Sequence, residues 1–569
     1  MTNKNPNTLW RYALFNLVVL VLIGAWIWQQ NQPVELAEPK LAGDGKLQCV
    51  SYAPYYGEGQ TPFLKGTMIS QKQIDSDLKL LAQHSQCVRI YSVNQGLDYV
   101  PVAASKVGLK VLLGAWVGWV DSDNIQEINL ATRLANQYPD TVVGLIVGNE
   151  VLLRGEQTEL TMAEYIKLAK QSTKVPVTYA DVWEYWLKHP ALEKSVDFVT
   201  VHVLPYWEDD PQPVSNAMHH VNVVMDKVTQ AFTKPVMIGE TGWPSVGRHR
   251  NASVPSAVNQ ARYMREFLLR AEEAKWNYNV IEAVDQPWKR TLEGAVGGYW
   301  GLYDTQLNPK FSFSGAMAER QDGLKPWVWA VAGLVIWLAA AFSFGERRNS
   351  ALVGAAALGA SAGLMGLLQT GYLIVACRDA FEWIGLGSLN ALGVLTILAM
   401  PFIIAKNQDV GLTNTNLSDS NLPDINLKVA QSKTIIRTSL FIFTLCAAIA
   451  GLLLIPKAWV LLPISKSMPE LSGFFYNLDG RYRDFPLTIY LLPVLQLSVG
   501  LWLAQLRTLT RTESRIYRYL NVIALVTMGV FILSEPLNVQ AYAWLGLVIL
   551  LAVISWPKYT RLAATDSEY

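Results

Sequence analysis

Apolar segments of two kinds divide this chain. Short apolar runs alternate with helical patterns from about residue 47 to about residue 303, whereas long uncharged apolar runs recur after Trp327. The short runs have the length and the β-branched residues of buried strands. They lie at 47–52, 87–91, 110–116, 142–147, 177–179, 198–203, 236–239 and 280–283. The alternation predicts repeated β/α units, and the long runs predict a part of the chain that lies in a membrane.

Helical patterns lie between most of the strand candidates, for example at 73–84, 128–138 and 257–274. Eight β/α units in about 260 residues have the count and size of a (β/α)8 TIM barrel. An open, doubly wound sheet is the alternative, but no glycine-rich nucleotide loop follows the first strand candidate. We therefore predict an α/β fold with a (β/α)8 TIM barrel at 47–320.

An apolar run at 12–28 precedes the barrel, and no small-residue cleavage site closes it. It therefore predicts a transmembrane anchor rather than a removed signal peptide, with 29–46 as a linker. The later apolar runs are each near the roughly 20 residues that a helix needs to cross a bilayer. They predict an all-α bundle of about seven transmembrane helices over 327–556, with spans near 327–344, 351–376, 382–405, 437–455, 487–505, 518–534 and 538–556.

Basic residues mark one side of this predicted bundle. They occur in the N-terminal segment 1–11, at Arg347 and Arg348, in the polar loop 406–436, in the arginine-rich stretch 507–518 and in the tail 557–569. The positive-inside rule makes that side cytoplasmic, although the loop 456–486 also carries basic residues on the other side. We predict a multi-pass protein of a bacterial inner membrane, with both termini cytoplasmic and the barrel in the periplasm.

The composition agrees with a membrane protein that has a globular domain. Hydrophobic residues make up 51% of the 569 residues, charged residues only 16%, and the mean hydropathy is +0.19. A net charge of +1 gives no indication of a nucleic-acid partner. The 20 Trp and 24 Tyr residues suit both sugar rings and membrane interfaces.

Two glutamates follow buried strand candidates at the end where a barrel places its reactive groups. Glu150 follows Asn149 after the fourth strand candidate, and Glu240 begins the motif Glu-Thr-Gly-Trp-Pro after the seventh. Two carboxyl groups are the minimum equipment for cleaving or transferring a glycosidic bond. Glu150 and Glu240 are therefore the predicted catalytic pair. Other acids at the same end are Asp181, Glu208, Asp209, Asp210, Glu282 and Asp285.

Other strand candidates also lead into polar and aromatic residues at this end. So many such endings predict a carbohydrate cleft with stacking platforms and hydrogen-bonding groups. The predicted substrate-binding residues are Tyr55, Arg89, Tyr91, Asn149, Asp181, Trp183, His202, Tyr206, Trp243, Asp285 and Trp288.

The two glutamate motifs resemble glycoside hydrolase family 17, in its bacterial membrane-bound type. The resemblance covers roughly 47–305 and extends to Ser51-Tyr52-Ala53-Pro54 and Leu204-Pro205-Tyr206-Trp207. This family contains β-1,3-glucanases and β-glucan transglycosylases. The resemblance implies that Glu150 is the acid/base and Glu240 the nucleophile of a retaining enzyme, about 5 to 5.5 Å apart. His202 departs from the plant enzymes, which have Asn there.

The expected function is that of a membrane-tethered retaining glycosidase that hydrolyses β-glucan. The same residues would serve a transglycosylase that extends, branches or cyclises β-1,3/1,6-glucan. An alternative of another class is a non-catalytic glycan sensor or scaffold. The expected partners are β-glucan, the lipid bilayer, and a glucan synthase or export protein.

Cysteines and histidines complete the sequence-based picture. Cys49 and Cys87 occur early in the first two strand candidates, so they form either a disulfide across neighbouring strands or two buried thiols. Cys377 and Cys446 lie at the edge of one predicted span and inside another. No group of His, Cys and Asp has the spacing of metal ligands, so no metal and no cofactor is predicted.

Overall fold

The structure, a computed structural model, describes residues 7–39, 45–64, 66–413, 422–455, 483–504 and 511–555. The chain divides into one unit at 33–319 and a second made of 1–32 and 320–569. The predicted tail at 557–569 and most of the predicted loop at 456–486 lie outside the described residues.

Unit 33–319 contains eight parallel strands that follow one another around the sheet in chain order. The amide of Ser51 donates to the carbonyl of Val280 (2.9 Å), and the amide of Ala283 donates to the carbonyl of Ser51 (2.8 Å). The sheet therefore curls until its last part meets its first strand, in a TIM-like arrangement. The strands are β1 (Val50–Ser51), β2 (Cys87–Arg89), β3 (Lys110–Ala115), β4 (Val142–Asn149), β5 (Val177–Val182), β6 (Val199–His202), β7 (Val236–Glu240) and β8 (Asn277–Tyr278).

The predicted position of the eighth strand was wrong. We expected it at 280–283, but β8 is Asn277–Tyr278, which pairs with β7. The residues after it bond on both sides: the amide of Ile281 donates to the carbonyl of Thr241 after β7 (2.9 Å), and the amide of Val280 donates to the carbonyl of Cys49 before β1 (3.0 Å). The apolar run at 280–283 is buried as expected, and it lies against β1, while the paired register with β7 ends at Tyr278.

Helices connect the strands, and several begin at a serine or threonine cap. Ser70 and Ser256 each accept a hydrogen bond from the backbone amide three residues later, which satisfies one of the free amides of a first turn. The helix α1 (Thr8–Gln30) precedes this unit. Within it lie α2 (Gln71–Leu81), α3 (Val100–Val107), α4 (Asp121–Gln137), α5 (Val151–Arg154), α6 (Glu159–Ser172), α7 (Trp183–Lys188), α8 (Val214–Ala231), α9 (Ala257–Ala274) and α10 (Arg290–Glu293), with 3-10 turns at Leu97–Tyr99, Pro190–Lys194, Pro287–Lys289 and Ala295–Gly298.

Cys49 and Cys87 form a disulfide, with Cα atoms 4.3 Å apart. Of the two alternatives, the bonded one is therefore confirmed. Both cysteines are buried with Leu112, Ile146 and Ala180 in one apolar cluster of the sheet. Cys377 is buried and Cys446 half-buried.

Removing this disulfide is expected to destabilise the sheet unit. The bond joins residues 38 positions apart, and closing a loop of that size restricts the unfolded chain. We expect the Cys49→Ala/Cys87→Ala variant to lose about 2–4 kcal/mol of unfolding free energy. Thermal unfolding of the full-length protein in detergent measures this loss, with Cys377→Ala as the control. If the first thermal unfolding transition of the double variant occurred at the same temperature as in the native protein, the expectation would be wrong.

The second unit is helical, and its helices fall on the predicted apolar runs. They are α1, α11 (Lys325–Ser343), α12 (Asn349–Ala376), α13 (Ala380–Thr413), α14 (Leu422–Leu454), α15 (Leu487–Ala504), α16 (Arg511–Ser534) and α17 (Val539–Ser555). Among the described residues, six helices are long and apolar enough to cross a membrane, and the apolar helices 487–503 and 539–555 are shorter. Six of the predicted spans thus fall on helices of spanning length, and the predicted spans near 487–505 and 538–556 fall on the two shorter helices.

The predicted loop at 406–436 is largely helical, which corrects that expectation. α13 continues to Thr413 and α14 begins at Leu422, so only 414–421 fall outside the described residues. Pro423 stands in the first turn of α14, where its missing amide costs no hydrogen bond. A polar composition ends the apolar run here without ending the helices.

Small residues and buried polar groups hold this helical unit together. A side chain on Gly359 or Gly363 would collide with the backbone of α11 at Gly333 and Trp329, so these glycines allow α11 and α12 to pack closely. The predicted anchor α1 is tied to α15, because the Tyr12 hydroxyl donates to Gln496 Oε1 (2.7 Å) and Gln496 Nε2 donates to the side-chain oxygen of Asn16 (2.8 Å). These contacts make α1 a packed member of the helical unit.

Candidate active site

Glu150 and Glu240 lie at the carboxyl ends of β4 and β7, and their carboxylates face each other. Glu240 ends its strand, while Glu150 follows β4 with a left-handed backbone (φ 52°) that starts α5. One carboxylate oxygen of each lies within 4.8 Å of the other. The Glu240 side chain is 6% exposed and the Glu150 side chain 25% exposed. The two groups thus form a close pair at one edge of the sheet, with Glu150 more open to solvent.

His202, at the end of β6, lies between the two carboxylates. Its Nδ1 is 2.9 Å from Glu150 Oε1, and its Nε2 is 3.7 Å from Glu240 Oε1. The ring is fully buried. A side chain on Gly239 would approach this ring and collide with Thr200, so a glycine before Glu240 leaves the space that His202 occupies.

Arg89, at the end of β2, is buried beside Glu240 and Asn149. Its Nη1 donates to the carbonyl of Gly239 (2.7 Å) and to Glu240 Oε1 (3.3 Å), and its Nη2 donates to Asn149 Oδ1 (2.5 Å). Because the Asn149 oxygen is occupied by Arg89, its amide nitrogen is the group left to donate towards the cleft. This fits the predicted contact of Asn149 with a sugar hydroxyl.

Three donor atoms of Glu150, His202 and Glu240 lie close enough together to resemble a metal site. However, Arg89 Nη1 already stands 3.3 Å from Glu240 Oε1 and 3.5 Å from His202 Nε2. A cation among these three donors would face the positive guanidinium at short range. Arg89 itself supplies the positive charge that balances the carboxylates.

Tyr91 donates a hydrogen bond to the same oxygen of Glu240, at 2.9 Å. Burial and the charge of Glu240 hold the pKa of Tyr91 well above its usual value, so Tyr91 keeps its proton. The contacts of Glu240 with Tyr91, Arg89 and His202 therefore all fall on Oε1, and within the described residues Oε2 has no such contact.

The pKa of Glu150 results from opposing effects. Burial acts to raise it, but the hydrogen bond and charge of His202 and the charges of Arg154 and Arg89 outweigh burial. The pKa of Glu150 therefore lies below its ordinary value, and the carboxylate is ionised in the free site at neutral pH. A proton must reach Glu150 before it can act as an acid.

Asp181 and Trp183 lie at the end of β5, beside Glu150. Asp181 is buried and accepts hydrogen bonds from Tyr179 and from the amide of Val182. Burial raises the pKa of Asp181 to about 6, and the charge of Glu150 adds to this shift. Trp183 is half-buried, with the Lys227 ammonium 5.4 Å from its ring centre. Of the two, Asp181 lies close enough to Glu150 to interact with its charge.

Three of the predicted binding residues are packing residues in this structure. Tyr206 and Trp243 are fully buried, edge to face, with ring centres 5.8 Å apart. The hydroxyl of Tyr206 and the indole N–H of Trp243 both donate to backbone carbonyls. Asp285 is buried against Lys310 Nζ (2.7 Å) and accepts from the amide of Gly301 (2.9 Å). Neither aromatic ring offers an open face to a ligand, which corrects the prediction for Tyr206 and Trp243, whereas the side-chain contacts of Asp285 with other described residues fall on Oδ1 alone.

The remaining two predicted residues lie on the loops at the ends of β1 and β8. Tyr55 is buried and donates to Gln95 Oε1 (2.6 Å). Trp288 is half-buried, and the exposed ring of Phe63 lies edge-on to it at 5.4 Å. Of these two, only Trp288 has aromatic surface available to a ligand.

The structure adds two exposed tryptophans that the sequence analysis did not single out. Trp116 and Trp119 follow β3 and are 40% and 61% exposed. The Arg154 guanidinium lies 4.4 Å from the Trp116 ring centre and donates to the carbonyls of Val117 (3.0 Å) and Asn149. Arg154 thereby fixes one face of Trp116 and connects it to the backbone that carries Glu150. The sequence signal was present, because Trp116 is the last residue of the strand candidate 110–116.

A second group of acids lies beside the pair. Lys289 Nζ is 2.8 Å from Glu282 Oε2, and Glu293 lies close enough to interact electrostatically with both. Burial raises the pKa of Glu282 and that of Glu293 to about 7, although the charge of Lys289 opposes the shift. Glu282 was among the acids noted in the sequence, whereas Lys289 and Glu293 were missed because they lie beyond the last strand.

Comparison with known proteins identifies the kind of domain that carries this site. Residues 49–301 match the BtgE/BtgC glycoside hydrolase domain. The domain is a glycosyl hydrolase or transglycosylase. A glucan 1,3-beta-glucosidase of Arthroderma benhamiae is 26% identical over 278 residues, which cover 45% of this chain and 89% of that protein. A probable beta-glucosidase btgE of Aspergillus flavus is 28% identical over 268 residues, which cover 46% of this chain and 42% of that protein.

Among solved structures, a glycoside hydrolase family 17 beta-1,3-glucanosyltransferase from Rhizomucor miehei is 26% identical to this chain. The match covers 48% of this chain and 99% of that structure, with a TM-score of 0.43. The helical unit after residue 319 lies outside the matched domain.

Proposed function

We propose that this protein is a retaining β-glucan-active enzyme in which Glu240 is the nucleophile and Glu150 the acid/base. The observation that carries the proposal is the spacing of the two carboxylates, whose oxygens lie within 4.8 Å. Retaining enzymes hold their carboxyl groups about 5 to 5.5 Å apart, whereas inverting enzymes leave about 6.5–9.5 Å for a water molecule. The name of the Arthroderma benhamiae relative, a glucan 1,3-beta-glucosidase, supports β-1,3-glucan as the substrate.

In the first step, Glu240 Oε2 attacks the anomeric carbon while the bond from that carbon to the leaving oxygen breaks. The contacts of Arg89 and Tyr91 fall on Oε1, so they orient the carboxylate while Oε2 remains available to attack. Glu150 gives its proton to the leaving oxygen. The product is a glycosyl ester on Glu240 and a shortened glucan.

Glu150 needs a proton for that step, and His202 is placed to provide one. Its Nδ1 lies 2.9 Å from Glu150 Oε1, so a proton carried between them belongs to the pair. With the proton on Glu150, the carboxyl group donates this hydrogen bond and His202 Nδ1 accepts it. This arrangement reconciles the lowered pKa of Glu150 in the free site with its role as an acid.

In the second step, Glu150 takes a proton from an acceptor whose oxygen attacks the anomeric carbon and releases Glu240. Water as the acceptor gives hydrolysis, and a sugar hydroxyl gives transglycosylation. Trp116 and Trp119 favour a sugar acceptor. Trp116 is joined through Arg154 to the carbonyl of Asn149, next to Glu150, and the exposed Trp119 follows three positions later. The leaving and accepting sugars bind on the side of the acid/base, where such rings can stack on them.

We also propose that the enzyme is held in a bacterial inner membrane with its sheet unit in the periplasm. Six apolar helices of spanning length support membrane attachment, and the basic residues on one side support the orientation. The disulfide Cys49–Cys87 fits an oxidising compartment. Under this proposal a glucan synthase or an export protein is the expected partner.

Product analysis of the full-length protein in detergent tests the function. Incubated with laminaripentaose, the enzyme is expected to give both shorter and longer oligosaccharides, measured by mass spectrometry and by new reducing ends. Shorter products alone, even at high acceptor concentration, would contradict transfer and leave a hydrolase. Binding of the pentasaccharide without any turnover would contradict both and favour a glycan sensor.

A further inference from the structure

Behind Glu240, three buried or half-buried polar side chains form a line. Asn279 Nδ2 lies 2.8 Å from Ser51 Oγ, Ser51 Oγ lies 2.9 Å from the Tyr91 hydroxyl, and that hydroxyl lies 2.9 Å from Glu240 Oε1. Asn279 and Ser51 are fully buried, and neither lies at the open end of the cleft. Packing alone does not explain why two polar side chains are buried at this place.

The chemistry of the groups fixes the direction of these hydrogen bonds. Asn279 Nδ2 also lies 2.8 Å from the carbonyl of Gly239, and a carbonyl only accepts, so the amide nitrogen faces both neighbours. Its two hydrogens are therefore given to Gly239 and to Ser51. The Ser51 hydroxyl accepts from Asn279 and has its own hydrogen left to donate.

That hydrogen goes to Tyr91. Within the described residues, Tyr91 and Asn279 are the hydrogen-bond partners of Ser51 Oγ, and Asn279 is already the donor. Tyr91 then accepts from Ser51 and gives its single hydrogen to Glu240 Oε1. If Glu240 were protonated and donated to Tyr91, Tyr91 would have to donate to Ser51, and the Ser51 hydrogen would lose its acceptor. A charged carboxylate oxygen accepts the Tyr91 hydrogen more strongly than the carbonyl oxygen of a neutral carboxyl group, so this direction favours the ionised form of Glu240.

We propose that Asn279 and Ser51 are positioning residues that direct the Tyr91 proton to Glu240 Oε1 and so favour the ionised nucleophile. This inference rests on the proposed role of Glu240. Asn279 acts a second time on the same residue, because it shares the carbonyl of Gly239 with Arg89. The line Asn279–Ser51–Tyr91 thus forms hydrogen bonds both to the carbonyl of Gly239, just before the nucleophile, and to Oε1 of Glu240.

Other charged or titratable groups also face Glu240 and influence its ionisation together with the line Asn279–Ser51–Tyr91. They are Arg89 and Tyr91 from β2, Glu150 after β4, His202 from β6, and Glu282, Lys289 and Glu293 after β8. Substitutions at Ser51 leave all of them in place. A change in the pH profile of a Ser51 variant therefore results from the loss of the hydrogen bonds of Ser51 and not from the loss of a charge.

The test is the pH profile of kcat/KM on laminari-oligosaccharides, with full-length protein in detergent. Without the Ser51 hydroxyl the ionised form of Glu240 loses support, so Glu240 takes up its proton at higher pH. In Ser51→Ala the acid limb should move up by about 0.5 to 1 pH unit, with KM within about twofold. Ser85→Ala is the matched control, since that buried hydroxyl donates to the carbonyl of Cys87 (2.7 Å) and lies outside the line Asn279–Ser51–Tyr91. Its profile should stay unchanged.

A double-mutant cycle separates this role from a general loss of stability. Because Ser51 acts through Tyr91, Ser51→Ala should cause no further movement of the acid limb in the Tyr91→Phe background. The same movement in both backgrounds, or none in the otherwise native enzyme, would overturn the inference. If Ser51→Ala does not fold, Ser51→Cys replaces it, since a thiol has similar size and donates weakly. An inactive native enzyme would refute the proposed function instead.

Discussion

Replacing Glu240 by Gln is expected to lower kcat on laminari-oligosaccharides by more than about 1,000-fold, a loss of roughly 4 kcal/mol in transition-state stabilisation. The amide is close in size to the carboxylate but cannot form the glycosyl ester. Arg89 and Tyr91 would still donate to the remaining oxygen, so the fold and substrate binding should persist. Turnover and equilibrium binding of the same oligosaccharide, measured side by side, check this result.

The matched control for this prediction is Glu208→Gln. Glu208 follows β6 and pairs with His220 at 2.6 Å. The activity of Glu208→Gln should stay within a few-fold of that of the native enzyme, because this carboxylate lies outside the proposed catalytic pair. Similar losses in both variants would mean that the substitutions act through stability. Retained turnover in Glu240→Gln would remove Glu240 from the role of nucleophile.

Replacing Glu150 by Ala is expected to give a loss that depends on the leaving group. On glucan, which needs protonation of the leaving oxygen, the rate should fall by about 100- to 10,000-fold. On a dinitrophenyl β-laminaribioside, whose leaving group needs no proton, the glycosyl ester should still form and then accumulate. The side chain of Glu150 is open enough, at 25% exposure, for a small anion to enter the space left by its removal.

Azide provides the second part of that test. It needs no general base, so it should accelerate turnover of the glycosyl ester in Glu150→Ala and yield a β-glycosyl azide. The β configuration follows from two successive displacements. Equal losses on both substrates, or no effect of azide, would argue that Glu150 is a binding residue and not the acid/base.

The sequence predicted the sheet and the core of the site because both depend on local patterns. Buried β-branched runs placed strands β1 to β7, and the residues at their carboxyl ends followed from the geometry of parallel strands. Arg89, Tyr91 and His202 lie with the glutamates for this reason. β8 was misplaced because Asn277 and Tyr278 are less apolar than the run at 280–283 that follows them, and only the pairing with β7 marks them as the strand.

Burial and long-range pairing explain what the sequence did not reveal. Tyr206 and Trp243 stand at strand ends like true ligands, but they turn into an aromatic cluster that the sequence does not encode locally. Asp285 is matched by Lys310, which lies 25 positions away. Trp116 reads as the end of a strand until Arg154 is seen against its ring. The direction of the Asn279–Ser51–Tyr91 chain likewise requires distances.

The most direct test of the whole account is covalent trapping with a 2-deoxy-2-fluoro-β-laminaribiosyl fluoride. The fluorine slows both steps, and the fluoride leaves without help, so a retaining enzyme accumulates its glycosyl ester. Peptide mass spectrometry of the trapped full-length protein should place one disaccharide on Glu240. A label on Glu282, Glu293 or any other carboxylate, or turnover with inversion and no label, would contradict the assignment of Glu240 and Glu150 as a retaining pair.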